Sequence, residues 1–151
     1  MKWVTRARPK IDRIACPWLI ARFIDPKPEF LYVPSEEVMR VAQESGATPY
    51  DIPGVALTHE RELCRFDVFL RTYGLDDPAL LWLAAIVRGA DTGRLDLAPA
   101  AAGLYAISLG LSRRCADDHE MLGHGLVMYD ALYAWCRYCQ DETHNWPPAG
   151  G

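Results

Sequence analysis

From Asp77-Pro78 onward the chain runs through Ala79 to Val87 without a polar residue and closes on Arg88. Aspartate followed by proline is the pattern of a helix N-cap with proline at the first helical position. A helix built from this run is apolar on nearly every side, so it cannot rest on a surface with one face in water. The run predicts a central buried helix, and the remainder of the chain must supply the elements that surround it. At nine residues it also falls short of the roughly 18 that a membrane span requires. No membrane is expected.

The surrounding elements follow from periodicity. Trp3 to Thr5 and Phe30 to Val33 read as short strands, the second bounded by Pro28 and Pro34. Between them Ile11, Ile14, Ala15, Trp18, Leu19 and Arg22 keep helical spacing, with only the last polar. Ser35 is placed to cap a short amphipathic helix that ends near Gly46, and Thr48 to Ile52 suggests a third strand before a Pro53-Gly54 turn. Cys64 to Tyr73 sets Phe66, Phe69 and Leu70 on one face, with Leu63 before them, and stops at Gly74. Further helices are expected over Pro99 to Ser112, with Leu104, Ile107, Ser108 and Leu111 in register, and from Asp117 to about Cys139. The tail from Asp141, with His144, reads as irregular. No internal repeat is visible. The expectation is an α+β fold: one predominantly helical domain over residues 1–151 with a few short strands in its N-terminal third. A content of 50% hydrophobic residues suffices for such a core.

Charge excludes some partners. With 16 basic and 20 acidic residues the net charge is -4, so no overall cationic field is available and direct nucleic-acid binding is not expected. Met1-Lys2-Trp3-Val4-Thr5-Arg6 lacks the apolar core of a signal peptide, which predicts a cytoplasmic protein. Five cysteines, an odd number at irregular spacing, fit reduced thiols.

Chemistry concentrates between Thr58 and Asp67, where His59, Glu60, Glu62, Cys64 and Asp67 bring imidazole, thiol and carboxylate together. These side chains bind transition metals or move protons near neutral pH, although a turn leading into an acidic helix start explains them equally well. Cys16, ahead of Pro17, is expected in the first turn of its helix, where amides stabilise a thiolate; a buried core cysteine is the alternative. Arg22 on a buried face needs an anionic partner, with Asp12, Asp25 and Asp91 available. Arg13 and Arg22 lie about 13 to 14 Å apart along a helix axis, so only one can touch a small oxyanion. Arg13 is the better contact, and Arg22 the better structural pair. In Asp117-Asp118-His119-Glu120, Glu120 and His124 at i, i+4 offer two metal ligands, against a capping-box reading of Asp117 and Glu120. Cys136-x-x-Cys139 near His144 lacks the second pair of a closed zinc site.

Several phrases, in order, resemble the C-terminal domain of the chromate-resistance protein ChrB family. They are Trp3-Val4-Thr5-Arg6, Ile11-Asp12-Arg13-Ile14-Ala15-Cys16-Pro17-Trp18-Leu19-Ile20 through Pro26, Asp51-Ile52-Pro53-Gly54, Leu57-Thr58-His59, Phe66-Asp67, Ile86-Val87-Arg88-Gly89-Ala90-Asp91 and Tyr129-Asp130-Ala131-Leu132-Tyr133-Ala134-Trp135-Cys136. The resemblance spans nearly the whole chain and implies a role in bacterial chromate resistance. Full-length members carry a further N-terminal region linked to control of an efflux operon; this chain starts almost at the domain, so a stand-alone version is expected. Joined to the residue chemistry, the expectation is a domain binding a divalent transition metal (zinc or iron), a chromate-like oxyanion, or both. The metal ligands would be His59, Cys64, Asp67 and Asp91, with His119 and Glu120 completing the set. Arg13, Arg22 or Arg88 would meet the oxyanion, since guanidinium forks match tetrahedral dianions. Two alternatives stand beside it: a redox or metal-dependent enzyme that lowers chromate toxicity through Cys64, and an interaction or regulatory module without catalysis.

Overall fold

The computed structural model describes residues 1–8, 10–52 and 63–143, with Asp12 and Arg13 in backbone only. The expected Pro53-Gly54 turn, the Leu57-Thr58 segment, His59, Glu60, Glu62 and the His144 tail lie outside the described residues. The fold is α+β. Strands β1 (Lys2–Arg6), β2 (Glu29–Val33) and β3 (Thr48–Pro49) form a parallel sheet in the order β2-β1-β3. The third strand is shorter than the expected Thr48 to Ile52, because Pro49 offers no N–H to a ladder.

Alternation along β1 divides the core. Trp3 faces the main cluster, which gathers side chains from Ile11 through Cys136, while Val4 faces a smaller one with Val38, Ala42, Ala47 and Ile52. Helix α1 (Asp12–Leu19) serves the first face and α2 (Val38–Ser45) the second. The start of α2 corrects the expected cap. Ser35 opens a single 3-10 turn, Ser35–Glu37, and makes no side-chain cap bond.

Past Leu19 the first helix widens into a π turn, Ile20–Ile24, closed by the Asp25 N–H donating to the Ile20 carbonyl at 2.8 Å. The wide turn delivers Asp25 beneath Trp3, whose indole N–H donates to its carboxylate at 3.0 Å. It also turns Arg22 toward the C-terminal helix, where both Nε and one terminal nitrogen reach Asp130 at 2.9 Å. The partner of Arg22 is therefore Asp130, and none of the three aspartates expected.

Helix α3 (Arg65–Thr72) is followed by α4 (Pro78–Thr92), α5 (Ala101–Arg114) and α6 (Asp118–Tyr138). Asp77 caps α4 through the Ala79 N–H at 2.9 Å, with Pro78 at its first position as expected. Helix α4 touches α1, α3, α5 and α6 and is central, though one strip stays open: Leu81 is 53% and Trp82 44% exposed. On α5 the expected register fails at one residue, since Ile107 points outward while Leu104 and Ser108 are buried. A methyl group at Gly125 of α6 would sit 2.3 Å from Ile14, which shows how closely α1 and α6 approach. Among the described residues no helix is long and apolar enough to cross a membrane.

Candidate functional site

In an open parallel sheet ligands collect outside the carboxyl ends of the strands, where the strand order changes direction. Here that point lies between β1 and β3. Arg6 ends β1, and Asp51 stands just past β3 with φ 55°, the left-handed region that aspartate tolerates better than most residues. Its carboxylate accepts from Arg65, the first residue of α3, with both side chains buried. Arg6 adds a longer contact at 3.7 Å. A buried ion pair is costly to dehydrate, so its presence fixes geometry more than it adds stability. It ties the chain before residue 53 to the chain after residue 62.

Immediately beside Arg65 lies the arrangement that the sequence singled out. Cys64, fully buried, is the N-cap of α3, and Asp67 three residues on bends back to it. One Asp67 oxygen accepts from the Cys64 backbone N–H at 3.1 Å and from the Cys64 thiol at 3.2 Å. The other oxygen accepts from Arg88 of α4 at 2.8 Å. The thiol thus donates to a carboxylate that the Arg88 guanidinium also engages. Asp67 also borders an open cleft of about 420 Å³ with Leu63, Leu70 and Leu75, so this buried thiol stands behind a carboxylate that solvent and ions can reach. Asp91 sits three residues beyond Arg88 on α4, one turn along the same side.

The other candidates are distributed elsewhere. His119 and Glu120 belong to the first turn of α6, where His119 meets the Tyr32 ring edge-on at 5.3 Å and Glu120 accepts the Ala116 N–H at 2.9 Å. Asp117 accepts the Glu120 N–H at 2.8 Å, so the capping geometry foreseen for this pair is largely present. Arg22 is engaged by Asp130, which also accepts the Trp18 indole N–H at 2.8 Å. His59 and the Arg13 side chain lie outside the described residues. Helix α1 begins at Asp12 with Ile11 as N-cap, so Cys16 falls in the second turn and is fully buried, away from the free amides expected to activate it.

One grouping was not anticipated as a whole. Ligand atoms of Cys115, Glu120 and His124 lie within 4.8 Å of one another. Glu120 and His124 were paired by spacing, but Cys115 belongs to the end of α5, and only the sharp α5–α6 junction folds it back. Burial raises the Cys115 thiol above its ordinary range, with Glu120 and then Asp117 adding to the effect. Burial pushes Cys136 up to about 11, whereas Cys139 is raised chiefly by its hydrogen bond with Glu142.

Arg6, Asp51 and Arg65 were also missed as a unit. A signal existed, since residues just past the strands of a parallel sheet are natural ligand contacts, but parallel pairing cannot be read from three short apolar runs.

Comparison with known proteins accounts for these phrases. The family model described as ChrB, C-terminal domain matches residues 3–136. Protein ChrB of Cupriavidus metallidurans is 35% identical over 133 residues, which is 87% of this chain and 40% of that protein. The chain thus spans well under half the length of this curated relative. No solved structure matches. With the match running from the first strand to the last helix, the chain belongs to the ChrB C-terminal domain family.

Proposed function

We propose that this domain acts in chromate resistance by holding a divalent transition metal, zinc or iron(II), at Cys64 and Asp67 and presenting a chromate-class oxyanion beside it. The observation that carries the reading is the 3.2 Å separation of the Cys64 sulfur and an Asp67 oxygen. Neighbouring ligands on a tetrahedral ion with bonds of ~2.0–2.3 Å are themselves about 3.4 Å apart. An entering cation would take the place of the thiol proton, which leaves to solvent, so that thiolate and carboxylate become two ligands with little movement. Asp91 and His59 are the candidates for the remainder. Arg88, relieved of part of its bond to Asp67, would then donate to an oxyanion that the cation attracts, with Arg13 as a second donor. The five free cysteines suit the reducing cytoplasm.

Elemental analysis of protein purified without added metal tests the proposal. At least one equivalent of zinc or iron is expected, with about one equivalent lost in Cys64→Ser and in Asp67→Asn. Arg88→Ala should retain the metal but bind chromate or sulfate more weakly. A parent protein that neither carries nor takes up metal, or variants that keep it fully, would refute the site. Survival of chromate-treated bacteria expressing the chain tests the role separately.

A further inference from the structure

The α5–α6 junction assembles a second set of donors, made of residues other than those of the Cys64 pocket. Helix α5 ends at Arg114 with Cys115 as its C-cap, and two residues later Asp117 caps α6. This short reversal folds the Cys115 thiol over the first two turns of α6. Glu120 and His124 are spaced i, i+4 and share a face there. The result is one sulfur, one oxygen and one imidazole nitrogen, all within 4.8 Å of each other. Glu120 uses one carboxylate oxygen to accept the Ala116 N–H, which steadies the side chain and leaves its other oxygen for a ligand. Glu120 and His124 are exposed and Cys115 partly so, so an ion can arrive without opening the core.

We infer that Cys115, Glu120 and His124 form a binding site for a zinc-class divalent cation, with the fourth coordination position open. Sulfur, nitrogen and carboxylate donors together suit zinc or its cobalt substitute better than calcium or magnesium, which take oxygen ligands. The three atoms already lie within 4.8 Å of one another, so reaching the ~3.4 Å expected around a tetrahedral ion calls for small side-chain adjustments at two exposed residues and one half-buried one. On binding, the Cys115 S–H bond breaks, its proton passes to buffer and the sulfur bonds the metal; no electron is transferred. Cys115 also borders a cleft of about 370 Å³ shared with Arg8, Arg113 and Asp118. In that cleft Asp118 accepts the Arg8 N–H at 3.1 Å and Asp117 the Glu120 N–H at 2.8 Å, contacts that fix the start of α6 beside the three donors.

The test is titration of the chelator-treated full chain with cobalt(II), read by the thiolate-to-cobalt charge-transfer band, and with zinc against a chromophoric chelator. Both are run on the parent and on Cys64→Ser, which removes the other proposed metal site. In Cys64→Ser, one equivalent is expected with a thiolate band and release of about one proton. Adding Cys115→Ser should abolish the band, while His124→Gln and Glu120→Gln should each weaken binding by at least ~10–100-fold, as even outer-shell changes do in established sites. Melting temperatures in chelator should match across the His124 and Glu120 variants, because both side chains are exposed. The inference fails if Cys64→Ser binds no metal, if its thiolate band survives Cys115→Ser, or if His124→Gln leaves the affinity unchanged. Loss of metal from Cys64→Ser alone, with a parent that binds one equivalent, assigns that equivalent to the Cys64 pocket and likewise overturns this site.

Discussion

Asp130 holds the first helix to the last, and removing its carboxylate has a cost that can be worked from the contacts. The side chain accepts the Trp18 indole N–H at 2.8 Å and both hydrogen bonds of the Arg22 fork at 2.9 Å. Trp18 is 1% exposed, so Asp130→Ala leaves an indole N–H poorly served by water, a loss of ~1–3 kcal/mol. The ion pair is half-exposed, with side chains 42% and 45% accessible, and solvent screening limits it to ~0.5–1 kcal/mol. The total is about 1.5–4 kcal/mol, or a fall in melting temperature of roughly 3 to 16 °C for a chain of this size. Asp130→Asn keeps one acceptor for Trp18 and should cost less than half as much. Acidity supplies an independent check. Hydrogen bonding from Arg22 pulls the Asp130 carboxyl below its ordinary range, overcoming burial, with Trp18 helping. A carboxyl lowered in the folded state stabilises above its unfolded pKa, ~3.9, and loses that contribution as pH falls through the folded value. The gap between the thermal melts of parent and Asp130→Ala should therefore be widest at neutral pH and narrow in acid below about pH 4, leaving the part owed to the Trp18 N–H. Equal melts at neutral pH, or a gap that persists undiminished in acid, would refute the reasoning.

Gly125→Ala should destabilise the domain by ~1–3 kcal/mol in denaturant titration, because the added methyl meets Ile14 at 2.3 Å, and Ile14→Ala should relieve part of the loss. Cys136, pushed up to about 11 by burial, should resist alkylation in the folded protein. Its folded pKa lies above the unfolded one, so its contribution to stability is complete below pH ~8.5 and declines as pH rises toward 11; Cys136→Ala should flatten that part of the alkaline stability profile.

What could be read beforehand depended on the range of the interaction. The Asp77-Pro78 start of α4, the Asp117 cap of α6 and the meeting of Cys64 with Asp67 are local, decided by residues within one helical turn, and all were legible. The partner of Arg22 was not, since Asp130 lies over a hundred positions away and depends on how α1 and α6 cross. Cys115 escaped notice because its companions are set by the turn between two helices. The Ser35 cap failed for a different reason: residues after Pro34 entered a 3-10 turn, and the capping role passed out of reach of its hydroxyl.

The π turn at Ile20–Ile24 bears on how this family can drift over time. A side chain within it can be exchanged, and the effect is confined to what that one group touches. Loss of a single residue would instead convert the wide turn into ordinary helix and swing everything downstream by ~100°. Asp25 would leave Trp3, and the chain would enter β2 at the wrong angle. Sequences related to this one are therefore expected to differ in spelling across this segment while keeping its residue count, and an alignment gap placed there is more plausibly an alignment error than an evolutionary event.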